Sequence, residues 1–305
     1  MLTLWKMENE IMKIIKPSVE FFGAVPTEYN AALKFIEMSG RTCYKSEDKI
    51  TEDSAEGFVQ KLIKAGHLAM VEHSNFVVRH RDHDNAAMTK AMIAAGKFLT
   101  VRRDSNYLYV GGNLTAWYQR ELGMDETLFE PFLRQYGVLF GVGDEFDTAF
   151  DAAAEPSFGW TVCPHDEIPK QLHRYSAKFI CDRGVSHELV RHRPCSFAQE
   201  STRYVKYGSK DMEFIEPDGF EGWIFYAKEI FLDLCITCAQ SYVKLISQGL
   251  KPQQARAVLP NALKTEIVVT ADAAEWAHIR KLRTAKSAHP DIQRVMNMMP
   301  WEEFL

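Results

Sequence analysis

The sequence predicts an α+β protein: a twisted sheet flanked by helices, a long central helix, and a mostly helical segment at about 80–171. Tyr175, Ala177, Phe179 and Cys181 alternate with Arg174, Ser176, Lys178 and Asp182, with only the apolar Ile180 out of pattern. A period of two is the mark of a strand. Residues 220–247 form the longest helical run, and their apolar side chains spread too widely for one exposed face, which predicts a central helix. Leu263 to Thr270, built on Ile267-Val268-Val269, reads as another strand, and Asp272 after it is a helix-capping residue type. A chain of 305 residues with 46% hydrophobic content can bury one large core or two modest ones, and it is read as one domain spanning 1–305.

In chain order, residues 14–22 read as an opening strand. A helix follows from near Thr27, with Ala32, Leu33, Phe35 and Ile36 toward one side, and ends by Gly40. A second helix runs from about Asp53 to Ala65 with Phe58, Leu62 and Ile63 inward and Gly66 as its stop. Residues 67–73 are a connection and 75–79 a strand. Within 80–171, Met88, Met92 and Ile93 have helical spacing, Gly111-Gly112-Asn113 is a turn and cap before a helix over 114–122, and residues 151–158 are a loop. The strand at 174–182 leads straight into a short helix with Ser186 as a plausible cap, which Pro194 stops. Residues 212–215 suggest a short strand. Gly249 and Pro252 end the long helix, and a short helix or turn over 252–259 carries Arg256. Asp272 caps a helix through Lys286, and a last helix covers 291–298.

Composition narrows the function. The net charge is −5, from 36 basic and 41 acidic residues, so there is no global field for binding nucleic acid, and any anion site is local. No apolar run approaches a membrane span, and Met1 to Lys16 mixes Lys6, Glu8, Glu10 and Lys13 with apolar residues rather than forming a signal-peptide core. The expectation is a cytoplasmic protein without a membrane partner; Met7 and Met12 stay open as alternative starts. Six scattered cysteines do not form a secreted disulfide framework, and Cys235 and Cys238, a CxxC without a second pair, read as buried helix residues. His80, Asp82 and His83, and likewise Cys163 with His165, lack a matching pair at ligand spacing; polar surface is the expectation for both, and no metal site is expected.

The chemistry concentrates between Arg183 and Tyr204. Arg191, His192 and Arg193 are consecutive at a helix end, so they point in different directions and cannot serve one patch; one must face inward or toward a partner chain. Ser196, Gln199, Glu200, Ser201, Thr202 and Arg203 follow, dense in hydrogen-bonding groups. Guanidinium forks beside hydroxyls and an amide suit a phosphate on one side and a nucleobase edge on the other. The bland reading of an Arg-His-Arg tripeptide is a solvated loop. Farther on, Trp276, Ile279 and Arg283 recur at helical spacing, so Arg283 shares an apolar face where a free guanidinium is expensive. A structural salt bridge is the alternative to a functional role there, and Arg256 ahead of Ala257-Val258-Leu259-Pro260 raises the same choice.

Arg191-His192-Arg193, seven residues, Ser201 and then Arg203 resemble the signature of the flavin-dependent thymidylate synthases, and residues 183–190 look like that family's lead-in. Gly66-His67 through Glu72-His73 to Phe76 resembles its GHxxxxEHxxF segment, residues 40–44 its early flavin-side segment, and Ala255 to Pro260 and Leu282-Arg283 two further parts. The resemblance covers roughly 13–78 and 172–298, which makes 80–171 an insertion in a single domain. It implies methylation of dUMP to dTMP, with methylenetetrahydrofolate as carbon donor and NADPH as reductant through FAD, on a homotetramer whose sites are shared between subunits.

By the same resemblance Arg283 is the catalytic arginine at the uracil ring, where a guanidinium stabilises the N3 anion and pushes electron density to C5. Arg191, Ser201, Arg203 and Arg256 would fix the phosphate and sugar, and Glu188, Gln199, Glu200 and Thr202 complete the dUMP set. The flavin set is His67, Glu72, Arg191, His192, Arg193, Gln199, Asp272 and His278. The family uses no enzyme nucleophile, which makes Cys195 a bystander despite two nearby arginines that would lower a thiol pKa. Asp272 and Ala274 stand where many relatives have Asn and Arg, Ser287 replaces a histidine, and Glu188 replaces a common Gln. Two competing readings remain: a nucleotide- or RNA-binding module without catalysis, and a flavoprotein that has lost transfer activity.

Overall fold

The computed structural model describes residues 12–81, 99–120, 126–142, 159–208 and 212–305. The chain enters on β1 (Lys13–Ile15) and β2 (Ser18–Ala24), which divide the expected opening strand at Lys16-Pro17. Helix α1 (Tyr29–Tyr44) buries Ala32, Leu33 and Ile36 as expected but continues past Gly40 to a left-handed cap at Lys45 (φ 47°). Gly40 is a packing position rather than a stop. A Cβ there would lie 2.8 Å from the Phe58 ring of α2 (Ser54–Lys64), so glycine lets the two helices close. Helix α3 (Leu68–Val71) occupies the expected connection, and β3 (Phe76–Arg81) follows.

Between β3 and residue 171 the described residues contain the expected helices and, in addition, three strands that the periodicity did not show. These are β4 (Thr100–Arg103), β5 (Tyr107–Gly112), α4 (Leu114–Arg120), α5 (Glu126–Phe140) and β6 (Trp160–Val162). The helix expected around Met88, Met92 and Ile93 and the loop at 151–158 lie outside the described residues. The strands join β3 in an antiparallel sheet of order β4-β5-β3-β6. Phe76 and Val78 of β3 meet Trp117 of α4, Phe132 and Tyr136 of α5, and Leu33 and Ile36 of α1 in one buried cluster. The described residues between β4 and β6 therefore share their core with the N-terminal helices.

A second four-stranded antiparallel sheet, of order β2-β7-β10-β8, centres on two nine-residue strands, β7 (Arg174–Asp182) and β10 (Lys264–Asp272). Helix α6 (Arg183–Leu189) starts directly off β7, β8 is Ser196–Gln199, β9 is Glu213–Ile215, α7 is Phe225–Ser247 and α8 is Pro252–Ala255. After β10 come α9 (Ala273–Arg283), α10 (Pro290–Met296) and α11 (Trp301–Phe304). Tyr175, Phe179, Ile267 and Val269 cover one sheet face against Trp276, Ile279, Met296 and Phe304. The indole N–H of Trp276 donates to Tyr175 O at 3.0 Å, which fixes α9 on β7. The other face is buried as well: Ser176 and Thr270 exchange a 2.8 Å hydroxyl contact, and Thr270 meets His73 Nδ1 at 2.8 Å.

Helix α7 is the long helix expected, but it begins at Phe225 rather than 220 and is peripheral rather than central, covering the small parallel β1–β9 sheet instead of the four-stranded one. Cys235, Ala239 and Tyr242 are buried there, while Tyr226, Ile230 and Leu234 form an exposed stripe at 69, 57 and 54%. By length and composition this helix is sufficient to cross a membrane, which corrects the sequence expectation that no run comes near a span. Of the CxxC pair, Cys235 is buried and Cys238 half-buried, both free. Cys163, expected on a polar surface, is buried among Val77, Tyr109, Ile168 and Leu172.

Candidate functional site

The arginine-rich segment is set by the strand before it. Asp182, not Ser186, caps α6: its Oδ1 accepts from Val185 N at 2.8 Å, and Ser186 sits inside the helix, where its hydroxyl receives the Gln199 amide at 2.9 Å. Helix α6 is then over by Leu189. Of the three consecutive cationic residues the inward one is the imidazole, with His192 buried and Arg191 and Arg193 exposed.

Arg283, the last residue of α9, faces His192. Its Nε–H donates to His192 Nε2 at 3.0 Å, so that nitrogen is unprotonated and the proton lies on Nδ1, 3.1 Å from Glu275 Oε1. Burial and the adjacent guanidinium lower the His192 pKa against the pull of Glu275, which keeps the ring neutral. Arg283 Nη1 meets the Glu188 carboxylate, and Nη2 donates to Glu188 O at 3.0 Å. Three nitrogens are thereby fixed in one plane, and two of the five guanidinium N–H groups are left for another acceptor. His278, exposed, completes a group with His192 and Glu275 whose ligand atoms lie within 4.8 Å of one another, as a metal site would need. Both His192 nitrogens are already engaged, so a metal would have to displace Arg283 or Glu275.

A second group lies along the chain after β8. Arg256 Nη1 donates to Thr202 Oγ1 at 3.3 Å, Ser201 Oγ accepts from Arg203 N at 3.3 Å, and the exposed Arg203 guanidinium stands 5.3 Å over the Tyr204 ring. His67 joins this strip through aromatic rings: its Nδ1 is 2.8 Å from the Tyr44 hydroxyl, and Tyr44 lies 5.7 Å from Tyr204. Gln199 is held by Ser186 and, at 3.1 Å, by Thr265. Glu200 stands apart from the others, buried, accepting from Tyr207 at 2.7 Å and pairing with Lys264 at 3.4 Å. It belongs to a cluster around Glu266, whose carboxyl is drawn down to about 2 by Lys178, Lys264 and Lys45 despite burial.

Glu72, Arg193 and Asp272 meet elsewhere, on a cavity of roughly 550 Å³ between the second sheet and the inserted segment. Asp272 also caps α9, accepting from Glu275 N at 2.8 Å. Burial raises the Glu72 carboxyl above its usual range against Ser196 and Arg174, which pull it down. Sequence reasoning missed Arg174. Nη2 of this buried residue donates to Ser196 Oγ at 2.9 Å and Thr270 O at 3.3 Å, while Nε has no partner. Asn75 Oδ1, also on the cavity, is likewise buried and open. The alternation of β7 gave a signal for strand but not for the burial of its polar face. Glu275, which sets the His192 tautomer, was missed because nothing in α9's spacing pairs it with a residue 83 positions away. The cavity's lining, with Glu72, Arg174, Arg193 and Asp272 beside Asn75 and Asn113, suits a polar ligand with a heterocyclic ring, and a flavin is of that kind.

Residues 169–304 match the model of a family described as thymidylate synthase complementing protein. The chain is 36% identical over 111 residues to a flavin-dependent thymidylate synthase of Geobacter sulfurreducens, covering 36% of this chain and 47% of the relative. It is 34% identical over 136 residues to that of Sulfurisphaera tokodaii, covering 45 and 49%, and 34% identical over 127 residues to that of Mycolicibacterium gilvum, covering 37 and 50%. The chain spans about half the length of the curated relatives it matches. The matched segment holds β7 with its arginine-rich helix, β8, and β10 with the helix that carries Arg283. The chain is thus similar to the flavin-dependent thymidylate synthases over part of its length, and residues 169–304 are the segment that matches the family model.

Proposed function

We propose that this protein methylates dUMP to dTMP, taking the one-carbon unit from methylenetetrahydrofolate and reducing equivalents from NADPH through FAD. The observation that carries the reading is the fixation of Arg283 by Glu188 and His192, which leaves two N–H donors in a fixed plane. Such a fork stabilises negative charge on a deprotonated uracil N3 and its carbonyl, and so raises the electron density at C5 without a nucleophile adding at C6. When bound, the flavin supplies the hydride that turns the transferred methylene into a methyl group, and NADPH restores it. Ser201, Arg203, Arg256 and Arg191 hold the nucleotide phosphate, Thr202 by orienting Arg256 and Gln199 by bracing the strand against α6. Glu200 acts at one remove, through Tyr207 and Lys264. The Cys195 thiol supports a nucleophile-free route, since burial and the carboxylates of Glu275 and Asp272 raise its pKa and hold it protonated.

Glu72, Arg193 and Asp272 would hold the flavin, and His67, His192 and His278 would reach it across a subunit boundary. The assembly is a cytoplasmic homotetramer. The stripe of Tyr226, Ile230 and Leu234 supports a contact with another copy, because the opposite flank of α7 is already seated on this chain's own core.

Arg283→Ala tests the reading. We expect single-turnover dTMP formation to fall by about a hundredfold to a thousandfold, with FAD affinity within twofold of wild type. Full activity in that variant would remove Arg283 from the mechanism.

A further inference from the structure

The cavity's lining has two sets of residues of different origin. Glu72, Asn75, Arg174 and Ser196 form one set of its lining residues, and Asn113 and Gln119, from the segment after β5, form another, with Asn113 next to Asn75 just beyond the Phe76–Gly112 pair of β3 and β5. Those two residues lie outside the matched family segment. The first set is polar and tightly held: Arg174 and Asn75 are 8 and 1% exposed, and Arg174 Nε and Asn75 Oδ1 lie without a partner just beneath the cavity surface. A buried donor and a buried acceptor left open on one surface are costly unless something pairs with both. Arg174 and Arg193 are matched by Glu72 and Asp272, so a simple anion finds no net charge to meet. An uncharged planar ring carrying donors and acceptors suits this balanced polar lining.

The second set is polar and unspent. Asn113 Oδ1 accepts from Ala116 N at 2.7 Å, which orients the side chain and leaves its amide N–H₂ free. Gln119 is exposed and has no side-chain partner among the described residues. Leu114 and Trp117 are wholly buried and Trp117 donates to Phe76 O at 3.1 Å, so α4 holds this set rigidly on β3. We propose that Asn113 and Gln119 read the polar edge of the nitrogen heterocycle of the bound nucleotide cofactor, a contact that residues 169–304 alone cannot make. The assignment rests on the flavin reading above.

The test is a titration of the full chain with FAD, followed by flavin fluorescence, for wild type, Asn113→Asp, Gln119→Ala and the double variant. Asn113→Asp keeps the oxygen that caps α4 and replaces the amide donor with an anionic acceptor, and Gln119→Ala is the charge-neutral control. We expect each single change to weaken FAD binding about fivefold and the double change at least tenfold, with dUMP affinity by calorimetry within twofold and an unchanged melting temperature. Parallel titrations with FMN and with AMP identify the ring: a loss with FMN assigns the flavin ring, a loss with AMP the adenine. FAD binding unchanged in the double variant overturns the proposal and leaves the flavin reading intact. A loss shared equally by dUMP also overturns it, as a general structural effect. A wild-type chain that takes up no FAD overturns the flavin reading itself.

Discussion

Residues read from the sequence as a chemical set are divided by the structure according to what each side chain can reach. Arg283 and His192 come together across 91 positions, and the arginine that the spacing placed on an apolar face has its guanidinium satisfied there by a neutral imidazole and by Glu188. Both alternatives weighed for Arg283, ion pair and functional donor, are thus physically compatible in one residue. Glu200 shows the limit: its neighbours along the chain face the candidate nucleotide strip, while its own carboxylate turns into a lysine cluster that no local pattern announces. His73 carries a prediction at this scale. It is fully buried, and desolvation, aided by Arg174, lowers its pKa from 6.5 to about 3. The unfolded chain therefore binds the extra proton first, so stability is complete above about 6.5 and falls with acidification toward 3, by about 1.4 kcal/mol per pH unit. In urea unfolding between pH 7 and pH 4.5, His73→Asn should reduce the loss of stability relative to wild type. Parallel pH profiles for the two would show that His73 is not a source of the acid sensitivity.

The elements that were legible are those whose local chemistry and tertiary role agree. Strands β7 and β10 are each nine residues long, and each ends on an aspartate whose Oδ1 caps the next helix at residue i+3. The Asp272 cap was readable because the residue type, the preceding β-branched run and the periodic α9 coincide. Asp182 does the same for α6 and was passed over for Ser186, since two capping residue types stand close together there. The strands β4, β5 and β6 were not legible at all. They are short, and what makes them strands is pairing with β3 and burial against Trp117 and Phe132, which is tertiary context. Removing the cap with Asp272→Ala should destabilise the flavin-free protein by about 1 kcal/mol, measured as a shift of the urea midpoint, whereas Asp272→Asn should lie within about 0.5 kcal/mol of wild type. Equal losses in both variants would mean that the charge, not the cap, matters at this position.

Over the whole molecule, two buried clusters meet on either side of the cavity, one shared by the N-terminal helices and the insertion, the other formed by the second sheet and the C-terminal helices. An α+β architecture was legible from periodicity, whereas the reading of 80–171 as an insertion came from the resemblance alone. Neither showed that the insertion is continuous with the N-terminal core and supplies a cavity wall. Helix α7 is the other whole-molecule feature, because Tyr226, Ile230 and Leu234 are exposed among the described residues. If the proposed self-assembly uses this stripe, replacing Ile230 and Leu234 by Glu should lower the mass in light scattering while the circular dichroism stays unchanged. An unaltered mass would place the subunit contact on another surface.

The most direct measurement is an anaerobic absorbance titration of the purified full chain with NADPH, followed by dUMP and methylenetetrahydrofolate and analysis of the nucleotide. The account predicts flavin bands that bleach with NADPH, recover only when both substrates are added, and yield dTMP in proportion to the flavin reoxidised. A protein that binds FAD and dUMP, bleaches with NADPH and returns dUMP unchanged would contradict the account.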